Sequence, residues 1–187
     1  SASVGTSPIT VVINPGEAIT SIALLDLTAT SVQVAVVADS VTIYDKTYVM
    51  ADLRPVAGWF DYFFEPLSKQ SDLIIEDLPP FGTITVTIAG TSVGTLAVGR
   101  TYDIGRTGVN PEISIIDYSK KDTDDYGVTS VIERGYSKRI VCDVIVQSNR
   151  TDAIAKKLSE IRAKPVIWIA HDGLSFSSLV AYGYYKD

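Results

Sequence analysis

Along residues 9–98, apolar and polar positions repeatedly alternate with the period of two that a half-buried strand requires. Thr83–Ile88 is the clearest case: Ile84, Val86 and Ile88 share one face, and Thr83, Thr85 and Thr87 share the other. Similar runs occur at Ile9–Ile13, Ile19–Leu25, Val32–Val37, Val41–Val49, Leu73–Ile75 and Thr95–Val98, rich in β-branched and aromatic side chains. The aromatic run Trp59–Phe64 reads as a strand of the same series. Turn signals separate the runs, at Asn14-Pro15-Gly16, Glu65-Pro66 and Leu78-Pro79-Pro80-Phe81-Gly82. Short strands in this rhythm predict a β-sandwich or jelly roll.

The pattern changes after Gly99. Gly105, Gly108 and Pro111 fall in a stretch without periodicity, which predicts a junction between a domain over residues 1–98 and another over residues 99–187. In the second part, Ile113–Tyr118 and Thr129–Glu133 flank the polar stretch Lys120–Gly127, as in a long hairpin, and Tyr136–Gln147 reads as one further strand. The single clear helix is expected at about residues 150–163. Asn149 is placed to cap it, Asp152 follows three residues on, and Ile154, Leu158 and Ile161 form one apolar stripe before Pro165. Val166–Ala170 and Ser178–Tyr185 complete the strands. The fold class is therefore mainly β, a sandwich followed by a β domain with one α-helix.

Composition narrows the function. The chain has 187 residues, 46% hydrophobic and 20% charged, which fits folded domains with real cores. A formal net charge of −6 argues against a nucleic-acid partner, because phosphate binding needs concentrated Lys and Arg. The one basic cluster, Arg134 with Lys138-Arg139, reads as a solvated or interface face of a strand. The longest apolar runs, Ile22–Leu25 and Val166–Ala170, are too short to cross a bilayer. No leader-peptide pattern is present, and a start at Ser1 reads as a processed or trimmed product. Cys142 is the single cysteine, which rules out an internal disulfide and a multi-thiolate metal site; its apolar setting predicts a core residue.

Catalytic chemistry finds little material. The only histidine, His171 beside Asp172, has no recognisable serine partner and reads as an ordinary loop residue. No glycine-rich phosphate loop occurs. Asp61, Glu65, Glu76 and Asp77 could supply the carboxylate pair of a glycosidase, but nothing in the sequence pairs them. Asp122, Asp124, Gly127 and Glu133 partly match a calcium loop, yet Tyr126 takes a ligand position and the flanks read as strands. A solvated hairpin tip is expected instead, with no metal and no cofactor. In a strand, Trp59, Asp61 and Phe63 would share one face, a candidate saccharide platform. Phe60, Tyr62 and Phe64 would then face the core, or the two sets would be reversed.

Several segments, taken in order, resemble the tail-tip proteins of long-tailed bacteriophages. They are Ile22-Ala23-Leu24-Leu25-Asp26-Leu27, Phe63-Phe64-Glu65-Pro66, Asp77-Leu78-Pro79-Pro80, Ile116-Asp117-Tyr118-Ser119-Lys120-Lys121-Asp122-Thr123-Asp124, Glu133-Arg134-Gly135-Tyr136-Ser137-Lys138-Arg139 and Tyr182-Gly183-Tyr184-Tyr185-Lys186-Asp187. The resemblance covers most of the chain. It implies a galactose-binding-like jelly roll followed by a domain similar to the tail tube of distal-tail proteins. It also implies a non-enzymatic virion component, made in the host cytoplasm, that forms a homo-oligomeric ring with other tail-tip proteins. The hairpin residues Lys120, Lys121, Asp122, Asp124, Asp125 and Tyr126 would contact the next subunit. Host surface glycan is a further partner the jelly-roll likeness suggests. Family members continue past the Tyr-Lys-Asp ending with one more strand, so the last sheet is expected to be closed by a strand from elsewhere.

Overall fold

The computed structural model describes residues 3–4, 8–50, 57–64, 70–124, 126–170 and 179–185. They are mainly β, and the chain divides into two compact units, Ser1–Tyr102 and Asp103–Asp187.

Strands β1 (Ser3–Val4), β2 (Ile9–Ile13), β3 (Ser21–Ala38), β4 (Val41–Val49), β5 (Leu73–Ile75) and β6 (Thr83–Gly99) form one antiparallel sheet in unit 1. Strands β3 and β6 pair along their whole length; β1 and β2 flank β6, and β4 and β5 flank β3. The runs Ile19–Leu25 and Val32–Val37, expected as two strands, are thus one strand, as are Thr83–Ile88 and Thr95–Val98. A straight strand of 18 residues would reach about 60 Å, whereas a hundred-residue domain has a radius of gyration of about 13 Å. The pair has to bend.

Two irregularities mark where the inward face changes. Thr28 faces Ser92, Ala29 faces Gly90 and Ser31 faces Ala89, so Thr30 on β3 and Thr91 on β6 are each an extra residue. A second change sits at Asp26, held at φ 56°, opposite Gly94. Core positions on β3 accordingly run Ile22, Leu24, then Leu27, Ala29, then Val32, Val34, Val36. On β6 the buried set passes from Ile84, Val86, Ile88 to Val93. Each irregularity, the kink at Asp26 and the bulges at Thr30 and Thr91, moves the inward face by one residue. Because both strands change together, Ser21 opposite Gly99 and Val37 opposite Thr83 keep one common register. Both halves therefore feed one core, which also takes Ile19, Met50, Leu73, Ile75 and Leu78. This sandwich-like arrangement comes from one bent sheet (strands changing layer at bulges).

Trp59–Phe64 is helical rather than extended: it forms α1, a short helix with no buried residue. Asp61 explains the difference. Its Oδ2 accepts the backbone N–H groups of Ala57 and Gly58, each at 3.1 Å, and so caps the first turn.

Unit 2 consists of small ladders. β7 (Arg106–Thr107) pairs with β12 (Val144–Ile145), β8 (Glu112–Asp117) with β11 (Tyr136–Val141), β9 (Lys120–Thr123) with β10 (Thr129–Ile132), and β13 (Val166–Ile169) with β14 (Val180–Gly183). The expected strand Tyr136–Gln147 is broken after Val141. Helix α2 (Thr151–Glu160) follows a 3-10 turn at Ser148–Arg150, so Asn149 lies inside that turn and gives no cap. The helix closes at Ile161, and Ala163 takes a left-handed φ of 61° before Pro165 is reached. Of its stripe, Ile154 is buried and Leu158 and Ile161 are half-buried. Cys142, just past the end of β11, is half-buried rather than a fully buried core residue. His171 lies outside the described residues.

Candidate functional site

The most distinctive surface is the ribbon formed by β8–β11 and β9–β10. Glu112–Asp117 pairs with Tyr136–Val141, and Thr129–Ile132 pairs with Lys120–Thr123, so the two expected hairpin arms do not pair with each other. The two ladders follow one another along a single hairpin. The offset between them lies at Tyr118-Ser119 against Glu133-Arg134-Gly135, where the returning arm carries one residue more.

Ser119 fixes this joint. Its hydroxyl accepts the Arg134 N–H at 3.1 Å, and its own N–H donates to Asp117 Oδ1 at 2.9 Å. Donation from the Ser119 hydroxyl, and then from its backbone N–H, holds the Asp117 carboxyl below the usual range. At the far end, Asp124 Oδ1 accepts the N–H groups of Tyr126 at 3.0 Å and Val128 at 2.8 Å. Gly127, with φ 81°, supplies the left-handed step the turn needs. Lys120 Nζ meets Asp122 Oδ2 at 3.2 Å. Asp122 and Asp124 are thus occupied within the ribbon, and among the described residues no group of His, Cys, Asp or Glu is arranged to hold a metal. Asp125 lies outside the described residues.

The ribbon leaves large apolar side chains in solvent on both faces. Ile113 and Ile115 lie on one side of β8 and Ile116 on the other, with Val131 and Ile132 likewise divided on β10. Tyr126 at the tip is 92% exposed. A two-stranded ribbon is marginal in water and needs a third strand or a covering surface. Among the described residues of unit 2, the buried apolar side chains are Ile154, Leu179 and Val180. The sequence signal was present: Ile115-Ile116 puts bulky groups on both faces of a segment that, among the described residues, pairs with one strand.

The charged residues expected at the subunit contact, Lys120, Lys121, Asp122 and Asp124, lie on β9 and the turn after it, next to Tyr126. The structure brings them together with Val131 and Ile132, which face Lys121 and Lys120 across the ladder.

Trp59, Asp61 and Phe63 do not form a strand face. On α1, Trp59 and Phe63 stack one turn apart, centroids 6.1 Å apart and planes at 15°. Phe60 and Phe64 pair separately at 5.1 Å. All five aromatic side chains are exposed, including the Phe60, Tyr62 and Phe64 expected in the core. The Asp61 carboxylate serves the helix cap. Glu76 and Asp77 are exposed beyond β5, and Glu65 lies outside the described residues.

At the start of unit 2, Arg150 donates to Asp103 Oδ2 at 3.0 Å and to the Asp103 carbonyl at 2.6 Å, tying the helix entrance to the first residues of the unit. That guanidinium, with the Gly105 N–H, lowers the Asp103 carboxyl from its ordinary value. No family model, curated protein or solved structure matches the chain.

Proposed function

We propose that this chain is a non-enzymatic structural component of a bacteriophage tail tip or baseplate, working through contacts between subunits. The observation that carries the reading is the exposed ribbon of unit 2. It projects Ile113, Ile115, Ile116, Val131 and Ile132 into solvent on two faces, and among the described residues each ladder of unit 2 is two strands wide. Burying such side chains is worth about 1.5–3 kcal/mol each, so a covering subunit supplies what unit 2 lacks alone. When one copy's surface fits a different surface of the next, a closed ring forms if the rotation between copies closes. In this reading unit 2 builds a ring that extends or closes the tail tube, and unit 1 decorates it or anchors fibres. The phage assignment itself rests on the ordered sequence segments above.

Light scattering coupled to size-exclusion chromatography, run over a wide concentration range, tests the proposal. The expected result is a concentration-dependent closed oligomer, lost in Ile115→Asp and Val131→Asp while unit 1 keeps its stability. A strictly monomeric chain that also fails to join tail-tip proteins would sink it.

A further inference from the structure

Helix α1 presents a second apolar surface, separate from the ribbon and of a different kind. Its six residues bury no side chain, and Trp59, Phe60, Tyr62, Phe63 and Phe64 are between 60% and 80% exposed. The rings rest on one another instead: Trp59 stacks on Phe63, Phe60 packs on Phe64, and Tyr62 meets Phe63 edge to face with centroids 5.1 Å apart. Single exposed aromatic residues are ordinary, whereas a contiguous apolar patch marks an interaction surface.

The helical step distributes these rings. At 3.6 residues per turn, the aromatic positions spread over about 200° of the circumference, and Asp61 stands in the remaining arc. Its carboxylate accepts the Ala57 and Gly58 N–H groups, each at 3.1 Å. The one charged side chain of residues 57–64 is thereby turned back to the helix start. What is left is a convex knob, aromatic on every side but one.

Shape, area and charge together select what covers it. A protein groove grips a helix along one stripe, by anchors at i, i+3 or i+4 and i+7. Six residues offer no i+7 position, and the rings are not confined to a stripe. A second copy of α1 falls short on area. The exposed ring surface comes to about 700 Å² per chain. Two convex helices touch along one side only, so they would hide roughly that much in total, below the roughly 1,200 Å² of a stable interface. A lipid surface deforms around the whole knob. Charge then chooses the lipid: residues 57–64 contain no Lys or Arg and the chain carries a net charge of −6, so anionic headgroups are repelled. We propose that α1 is a membrane-contact site that inserts its rings into the interface of a zwitterionic bilayer. The Trp59 N–H and Tyr62 O–H stay at headgroup level, while Phe60, Phe63 and Phe64 enter the acyl boundary. This goes beyond the assembly reading, since α1 belongs to unit 1 and the ribbon to unit 2.

The test is flotation of the full chain with vesicles of phosphatidylcholine alone and of phosphatidylcholine mixed with phosphatidylglycerol, with tryptophan fluorescence read against brominated phosphatidylcholine. The expected result is saturable flotation on phosphatidylcholine, weaker flotation on the anionic mixture, and quenching that Trp59→Phe removes while the variant still floats. Phe60→Ser and Phe63→Ser should each weaken partition about tenfold, with thermal stability unchanged because both side chains are exposed. Ile115→Asp, in the ribbon, should float like the parent chain. No flotation on phosphatidylcholine would overturn the proposal. So would tighter binding to the anionic mixture, or flotation that survives Phe60→Ser and Phe63→Ser combined. A dimer that forms without vesicles and is dissolved by the same two substitutions would assign the knob to a second copy instead. Oligomer mass of the ribbon variants reads the assembly proposal separately, so failure of either leaves the other standing.

Discussion

The buried carboxylate of Asp72 accepts the backbone N–H of Asp26 at 3.0 Å, across the place where β3 changes its inward face. The neighbouring Leu27 N–H donates to the Ser71 carbonyl at 2.8 Å. Together these bonds take up backbone donors that the positive-φ kink at Asp26 turns away from β6. Asp72→Ala should leave the Asp26 N–H, in a part-buried bond, without this partner and cost about 1 kcal/mol. Asp72→Asn, which keeps an acceptor oxygen, should cost clearly less. Urea unfolding followed by unit 1 fluorescence or circular dichroism checks both; equal losses in the two variants would remove the role assigned to this bond.

The second strand of the bend makes a steric prediction. A Cβ on Gly90 would lie 2.3 Å from the Thr28 carbonyl oxygen, and one on Gly94 would lie 2.6 Å from the Asp26 Cβ. At Gly99, the end of the same strand, nothing stands within 4 Å. Gly90→Ala and Gly94→Ala should each destabilise by about 3 kcal/mol, as overpacking against backbone does, whereas Gly99→Ala should be near neutral. Denaturation midpoints of the three variants give the comparison directly.

Tyr44 carries a pH dependence. Its hydroxyl lies 2.6 Å from that of Tyr48. Burial, and then the Tyr48 hydroxyl, push its pKa from 10.0 up to about 12. The folded state thus holds the proton more tightly than the unfolded state. The resulting contribution to stability is fully present below pH 10.0, falls as pH rises toward about 12, and is gone above it. Tyr48→Phe should bring the Tyr44 titration partway back toward 10.0, because burial remains after the hydrogen bond is removed. Phenolate absorbance measured against pH reads the midpoint in both proteins.

Alternation made the cores of the strands legible. Ile84, Val86 and Ile88, picked out by period alone, are among the most deeply buried side chains. The bends were not legible, because Thr30 and Thr91 break the alternation in the same way a loop does. Two runs separated by such a break read as two strands; only the partner strand's matching break reveals one. Trp59–Phe64 misled for a different reason. Aromatic residues favour strands on average, but the cap from Asp61 decides this segment locally. In unit 2, β8, β10 and the start of β11 were visible, but β9 (Lys120–Thr123) read as part of the polar tip and the pairing was not visible. Register there depends on the extra residue in Glu133-Arg134-Gly135 and on Ser119, neither of which shows in hydropathy.

The tip of the ribbon allows a test that separates local order from assembly. Asp124 receives two backbone N–H groups and is itself exposed, so Asp124→Ala should cost only about 1 kcal/mol and leave both units folded. Hydrogen exchange at the Tyr126 and Val128 amides should speed up in that variant and stay slow in Asp124→Asn, which retains the acceptor. If the tip contacts a neighbouring subunit, the ordering that Asp124 provides has already been spent before association. Asp124→Ala should then weaken oligomer formation several-fold while Asp124→Asn assembles almost normally. Sedimentation at graded concentrations distinguishes this from a tip that stays in solvent, for which both variants would assemble like the parent chain even though their exchange rates differ.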